Sequence, residues 1–267
     1  MSNKHMPTSN VMKNDFGWEI PVESIPLPSN GIIYDPDSLL YNCQQLKIKA
    51  MTAREEDILS SQAFIKDGTA ITKTIQSCLE EKSINVDDLI IGDRNALMIS
   101  IRITGYGSDY NLLHSCRQCG SENKVCVKLN ELSIKRLAEK PVEEGKNMFE
   151  FALPVTRKKV LFKFINGHDE REQNISRVRL EKAGIVKDNT VTSFLESTIV
   201  KVDDITDKNK IRHFIENMPA LDSRKLRLHI LKSEPGIDMD WQYNCQSCLS
   251  LNEFGIPITS EFFWPST

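Results

Sequence analysis

The amino-acid sequence predicts an α+β fold: a mostly helical body and a four-cysteine ribbon that a large inserted α+β subdomain splits in two. Apolar residues recur three and four positions apart along much of the chain, the spacing of amphipathic helices. Two Cys-x-x-Cys pairs, Cys116–Cys119 and Cys245–Cys248, each lie between alternating segments typical of strands. Because the pairs are far apart in sequence, the ribbon is predicted to close around an insertion.

Residues 1–36 are predicted to form an extended or disordered N-terminal arm. Residues 1–17 are polar and show no apolar periodicity. A turn is predicted at the Ser-Asn-Gly sequence of residues 29–31. Proline has no N–H to donate to a β-ladder, so we expect this arm not to be a central strand, and to lie on the body or on a partner. The prolines that support this interpretation are Pro21, Pro26, Pro28 and Pro36.

Residues 37–107 are predicted to form a helical region. A short strand is expected over 45–50, and a capping box of Thr52 and Glu55 then begins a helix that runs to about Ile65. A second helical pattern covers 69–79.

Residues 93–104 admit two interpretations. Their isoleucines alternate as in a strand. Asp93, however, is a good N-cap residue, the run is long, and Gly105 follows it. We therefore predict a helix with Asp93 as its cap.

The two halves of the ribbon are predicted at residues 108–132 and, together with the C-terminal tail, at residues 238–267. Strands are expected at 110–114 and 124–129 around the first cysteine pair, and at 239–243 and 251–258 around the second. The tail contains the apolar run Phe262-Phe263-Trp264-Pro265, which we expect to dock on the folded chain.

Residues 133–237 are predicted to form the inserted α+β subdomain. Strands at 149–153 and 160–164 are expected to pair as a hairpin, and the rest is expected to be helical. The predicted helices cover 169–183 (ending at Gly184), 191–202, 211–218, and a last segment from an Asp222 cap to about 231.

The cysteine pairs predict one structural zinc ion with Cys116, Cys119, Cys245 and Cys248 as metal ligands. Zinc takes four thiolates in a tetrahedron, and a two-residue gap lets both sulfurs of a pair reach one ion. Gly120 suits the tight turn after the first pair, whereas Leu249 in the equivalent place is less suitable. The alternatives are four unrelated buried cysteines or His114 as a substitute ligand. Four protein ligands leave no open position, so the predicted site is structural rather than catalytic.

The three remaining cysteines, Cys43, Cys78 and Cys126, are expected to be buried small hydrophobes, since a reducing cytosol disfavours disulfides. That compartment is expected because no apolar run approaches the roughly 18 residues of a membrane span and the N-terminus lacks a secretory signal pattern.

Composition and motifs favour no other chemistry. The net charge of −3 gives no general reason to expect nucleic-acid or membrane binding, and acidic residues interrupt the basic ones near the ribbon. The glycine-rich Gly105-Tyr106-Gly107 lacks the lysine of a phosphate loop. His168 lies beside carboxylates where a helix is expected to start, which favours a cap over a catalytic group. We therefore predict no catalytic and no cofactor-binding residues.

Five stretches resemble, in their order, the baseplate hub and hub-assembly family of T-even-type contractile-tailed phages (myoviruses). They include Ile-Pro-Leu-Pro-Ser-Asn-Gly at 25–31 and Gly-Asp-Arg-Asn-Ala-Leu at 92–97. The full set is 25–34, 51–59, 92–107 with the first cysteine pair, 214–219 and 235–238 with the second pair, and 262–265.

The resemblance implies a bacteriophage morphogenesis protein: a non-enzymatic structural protein of the baseplate hub, or an assembly chaperone for the tail. Its implied partners are other baseplate hub proteins, in the host cytoplasm during assembly or in the virion tail baseplate. Neither membrane nor nucleic acid is an expected partner, and the oligomeric state is left open. The alternatives are a zinc-ribbon nucleic-acid-binding regulator, or an enzyme acting through a cleft that the sequence does not show.

Overall fold

A computed structural model describes residues 10–13, 19–182, 190–258 and 260–263. These residues form a mixed α+β fold, as predicted, with helices and several small sheets. No helix in this part of the chain is long and apolar enough to cross a membrane. The predicted disorder of residues 1–9 and 14–17, the helix end at Gly184, and the docking of Trp264 and Pro265 fall outside the described residues.

The bounds of the elements follow the predicted segments in most places. The helices are α1 (Ala53–Ser60), α2 (Gln62–Lys66), α3 (Ala70–Cys78), α4 (Ile91–Tyr106), α5 (Gly167–Lys182), α6 (Thr190–Thr198), α7 (Lys208–Glu216) and α8 (Ala220–Ser233). The strands are β1 (Asn10–Lys13), β2 (Glu19–Pro26), β3 (Gln45–Lys49), β4 (Asp109–Ser115), β5 (Glu122–Lys128), β6 (Ile134–Lys135), β7 (Phe149–Ala152), β8 (Lys159–Phe162), β9 (Ile199–Val202), β10 (Gly236–Ile237), β11 (Asp240–Asn244) and β12 (Leu251–Gly255).

The proline-rich segment is a central strand, so the prediction that it could not be one is wrong. Strand β2 pairs with β1 on one side and with β3 on the other. The Pro21 carbonyl accepts the Ala50 N–H at 3.0 Å, so its missing N–H faces a position just past the end of β3. Pro26 faces the opposite side of β2 and lies outside the described β1–β2 pairing, which reaches Val22. Pro21 is tolerated in a central strand because its missing N–H points to a place where β3 has ended.

The turn predicted at residues 29–31 is confirmed, and its flanking residues Ser29 and Gly31 are buried while Asn30 is exposed. Asn30 and Gly31 adopt φ values of 53° and 74°. A Cβ on Gly31 would lie 2.4 Å from the Cys43 nitrogen, so only glycine fits there. The surrounding apolar side chains, Leu27, Ile33 and Leu40, are almost fully buried. This segment therefore belongs to the body of the protein.

The helix predicted between Thr52 and Ile65 is two helices. The capping box of Thr52 and Glu55 begins α1 as predicted. Ser61 then adopts an extended conformation with ψ of 112°, which ends α1 and starts α2. Glu55 is fully buried and also accepts a hydrogen bond from the Ser77 hydroxyl at 2.5 Å.

The ambiguous segment is a helix, α4, but Asp93 is not its cap. The N-cap position is Ile90, and Asp93 lies in the first turn with its side chain fully buried. Its carboxylate accepts the N–H and the hydroxyl of Ser29, at 3.0 and 2.5 Å, and the Tyr34 hydroxyl at 2.6 Å. Burial raises the pKa of Asp93 despite these hydrogen bonds. Asp93 therefore binds the N-terminal turn to α4.

A second buried charge, Arg102, lies near the other end of α4. Its guanidinium donates to the carbonyls of Phe262, Gly107 and Asp109 at 3.0, 2.9 and 3.2 Å. Phe262 and Phe263 are fully buried, which confirms the predicted docking for these two residues of the tail. Arg102 thus joins α4 to the start of β4 and to the C-terminal segment.

The segment 133–237, which is predicted to be an insertion, begins and ends at one place. Strands β6 and β10, at its two ends, pair antiparallel, and Asp238 donates its N–H to the Ser133 carbonyl at 2.9 Å. Next to this pair, a Cβ on Gly92 would lie 1.8 Å from the Pro235 carbonyl oxygen, so α4 packs directly on the returning backbone. The division into the predicted domains stays a prediction.

Inside the insertion the predicted hairpin is confirmed as β7 and β8, but two details differ. Residues 199–202 form a third strand, β9, on this sheet rather than the end of a helix. The β-branched residues Ile199 and Val202, at the two ends of β9, pair with Phe162 and Val160 and are buried with them. Asp222 lies inside α8 and does not cap it, since its carboxylate accepts the N–H groups of Val155 and Thr156 at 2.7 and 2.9 Å.

We expect Asp93→Ala to lower the free energy of unfolding by about 3–5 kcal/mol, because it leaves three buried donors without an acceptor. Urea unfolding of the full chain measures this effect. Asp88→Ala is the matched control, since Asp88 forms an exposed pair with His168 and should cost less than about 1 kcal/mol. Similar losses in the two variants would contradict the role given to Asp93.

Candidate metal centre

Two β-hairpins bring the four predicted cysteines together. Strands β4 and β5 flank the first cysteine pair, and β11 and β12 flank the second. The four sulfur atoms all lie within 4.8 Å of one another. Cys116 and Cys245 are buried, while Cys119 and Cys248 lie at the surface. The cluster is therefore compatible with a metal site that is shielded on one side.

The sulfurs pair across the two hairpins. Cys116 Sγ lies 3.7 Å from Cys248 Sγ, and Cys119 Sγ lies 3.7 Å from Cys245 Sγ. Four thiolates at about 2.3 Å from a tetrahedral ion would be separated by about 3.8 Å. The donor set therefore fits a four-coordinate ion that prefers sulfur ligands.

Each cysteine pair lies on a tight turn of the same geometry. The N–H of Gly120 donates to the Cys116 carbonyl, and the N–H of Leu249 donates to the Cys245 carbonyl, both at 2.9 Å. Gly120 and Leu249 have φ values of 72° and 60°. Leu249 thus adopts a conformation that costs a residue with a Cβ about 1–2 kcal/mol, as expected from its place after the second pair.

Two asparagines that the sequence analysis missed hold the hairpins in register. Asn252 Oδ1 accepts the N–H of Arg117 at 3.0 Å, and Asn123 Oδ1 accepts the N–H of Gln246 at 2.9 Å. Both asparagines are almost fully buried. Each therefore binds the turn of the opposite hairpin and satisfies a backbone donor beside the cysteines.

Two serines also contact the opposite hairpin. The Ser250 hydroxyl lies 3.3 Å from Cys116 Sγ, and the Ser121 hydroxyl lies 3.3 Å from Cys245 Sγ. The signal for all four residues was present in the sequence, since both halves read Cys-x-x-Cys-x-Ser-x-Asn. The repeat extends the cysteine motif to eight positions.

The hydroxyl contacts favour the thiolate form of the two buried cysteines. Hydrogen bonding from Ser250 lowers the pKa of Cys116 to about 5. Hydrogen bonding from Ser121 lowers the pKa of Cys245 to about 7. Because the thiolate is the metal-binding form of cysteine, these neighbours suit a metal ligand.

His114 has a different role from metal binding. Its Nδ1 lies 2.9 Å from the Tyr243 hydroxyl, and its ring stacks on Phe254 at 4.5 Å between centroids. His114 and Tyr243 occupy equivalent positions, two residues before each cysteine pair. They pack the two hairpins together beneath the cysteines.

The three other cysteines are not alike. Cys78 is fully buried, as expected, and burial raises the pKa of its thiol to about 12. Cys43 is half-buried. Cys126 is exposed on β5, so the expectation that it is buried is wrong, because its side chain lies on the outer face of the hairpin.

Comparison with known families gives one match, to a family model described as "T4 bacteriophage base plate protein", over residues 27–264. No curated protein and no solved structure gives a significant match.

We expect Asn252→Ala to lower the free energy of unfolding by about 1–3 kcal/mol, because the Arg117 N–H and the Ser250 carbonyl both lose a buried partner. Urea unfolding of the full chain measures this free energy. Asn244→Ala, at an exposed position on β11, should change stability by less than about 0.5 kcal/mol. If the two variants were equally stable, Asn252 would not hold the hairpins.

Proposed function

We propose that this chain, which belongs to the T4 bacteriophage base plate protein family, is a non-enzymatic structural or assembly protein of the baseplate hub. The family match over residues 27–264 carries this proposal. It acts by binding other baseplate hub proteins, either in the host cytoplasm during tail assembly or as part of the virion tail baseplate. The ordered stretches that resemble hub proteins support the assignment to the hub.

The stretches that carry the resemblance meet around one helix, which supports their use as a family signature. Residues 29 and 34 bind Asp93 of α4, Pro235 packs on Gly92 at its start, and Phe262 binds Arg102 near its end. Stretches that are far apart in sequence thus form one structural unit. This unit is the scaffold on which the proposed binding surfaces lie.

The proposed cofactor is one structural zinc ion bound by Cys116, Cys119, Cys245 and Cys248 in a zinc ribbon. The sulfur separations and the two tight turns support this choice. Four cysteine ligands would leave no coordination position for a substrate, so the ion's role is to join the two hairpins. Because these hairpins precede and follow the insertion, the ion would fasten both ends of the insertion to the body.

The purified full chain should contain one zinc per molecule by elemental analysis, and Cys245→Ser should reduce that content strongly and lower the thermal midpoint. Cys126→Ser is the matched control, because this thiol is exposed on β5 and outside the cluster. It should keep both the zinc content and the midpoint. Unchanged zinc content in Cys245→Ser would refute the proposed site.

The second hairpin offers a candidate contact surface. Leu249 and Leu251 are 78% and 66% exposed, and they lie two residues apart on the same hairpin. The equivalent positions of the first hairpin hold Gly120 and Glu122. Leu249 is exposed and adopts an unfavourable φ, so it adds little to the stability of the isolated chain. This supports a role for Leu249 in contacting a partner.

Affinity capture of the tagged full chain from phage-infected cells, followed by mass spectrometry, should recover other baseplate hub proteins. Replacing Leu249 and Leu251 with serine should reduce that recovery at least tenfold while leaving the thermal midpoint unchanged or higher. Leu39→Ser, at a position 61% exposed on another part of the chain, should not reduce recovery. Absence of baseplate proteins from the wild-type capture would refute the proposed function, and equal recovery with all variants would exclude this surface.

A further inference from the structure

A small cleft lies where α4 and the insertion meet. Its volume is about 200 Å³, and helices α4, α5, α6 and α8 each contribute to its wall. Apolar side chains form much of that wall: Ile91, Ile165, Phe194 and Ile230. Nucleotide-sized and drug-sized ligands occupy roughly 300–1,000 Å³, so this cleft suits a single extended side chain.

Most polar groups of the cleft are already paired. Glu170 accepts a hydrogen bond from Arg94 at 2.7 Å and forms an ion pair with it. Gln173 donates to the Ser197 hydroxyl at 2.7 Å, and the Thr198 hydroxyl donates to the Phe194 carbonyl at 3.0 Å. The charge of Glu170 and the donor groups of Gln173 and Thr198 are therefore already paired within the protein.

Glu234 is the exception. Glu234 lines the cleft, and none of the described residues donates a hydrogen bond to its carboxylate or forms an ion pair with it. Lys135 acts on this carboxylate electrostatically while donating its own hydrogen bond to the Leu231 carbonyl. Glu234 is half-buried, and burial raises the pKa of its carboxyl group to about 7.

We propose that this cleft is a binding site for the side chain of a lysine from a partner protein. The aliphatic stem would contact the apolar wall, and the ammonium group would pair with Glu234. An apolar side chain would leave the carboxylate desolvated, and an anion would be repelled by it. The proposal depends on the proposed function only for the source of the lysine, a neighbouring baseplate protein.

The site can be tested on the full chain with n-butylammonium as a probe for the lysine side chain and n-butanol as its neutral counterpart. NMR spectra of isoleucine methyl groups report on Ile91, Ile165 and Ile230 in the wall. We expect saturable shifts with n-butylammonium at millimolar concentration, and at least tenfold weaker binding of n-butanol. Affinity for n-butylammonium should rise from pH 6 to pH 8 as Glu234 ionises. The other charged groups beside it are the Glu170–Arg94 pair and Lys135.

Glu234→Gln keeps the shape of the side chain and removes its charge, so it should fold and should lose at least tenfold in n-butylammonium affinity. It should also lose the dependence on pH. Glu216→Gln, at an exposed position on α7, is the control and should bind like the wild type. Absence of saturable shifts, equal binding of the two probes, or unchanged binding by Glu234→Gln would each overturn the proposal. These outcomes do not depend on the capture experiment, so failure of the site and failure of the proposed function are distinguishable.

Discussion

Two buried charges on α4 constrain how the rest of the chain can be arranged. Asp93 and Arg102 are almost fully removed from water, and a buried charge is costly unless hydrogen bonds satisfy it. Their partners come from the N-terminal turn and from the C-terminal segment. The helix can therefore be buried only when both ends of the described chain have folded onto it, which makes its burial cooperative.

Arg102 and the four cysteines lie at opposite ends of the first hairpin. Arg102 binds the carbonyls at the start of β4, the strand that leads to Cys116, and the Phe262 carbonyl beyond the second hairpin. The four cysteines lie together at the far ends of the two hairpins. An ion bound there, as proposed, would fix each hairpin at the end opposite to Arg102.

The two hairpins are a repeated unit with unequal surfaces. Cysteine, serine and asparagine recur at the same spacing and make reciprocal contacts. The positions that face outward have diverged, with Gly120 and Glu122 in one half and two leucines in the other. The shared residues explain how the hairpins hold each other, and the differing residues give the two hairpins unlike outer surfaces.

The sequence alone determined those features whose causes are local. The capping box at Thr52, the helix over 93–104 and the turns around the cysteines depend on residues a few positions apart, and each was predicted. The acceptor role of Asp93 and the contact of Asp222 with residues 155–156 were not, because their partners lie dozens of residues away. The central position of β2 was not either, because it depends on which edge of the strand each proline faces once β1 and β3 have paired with it. A short acidic side chain at a helix start is typical of a cap, and only tertiary packing decides whether a remote donor binds it instead.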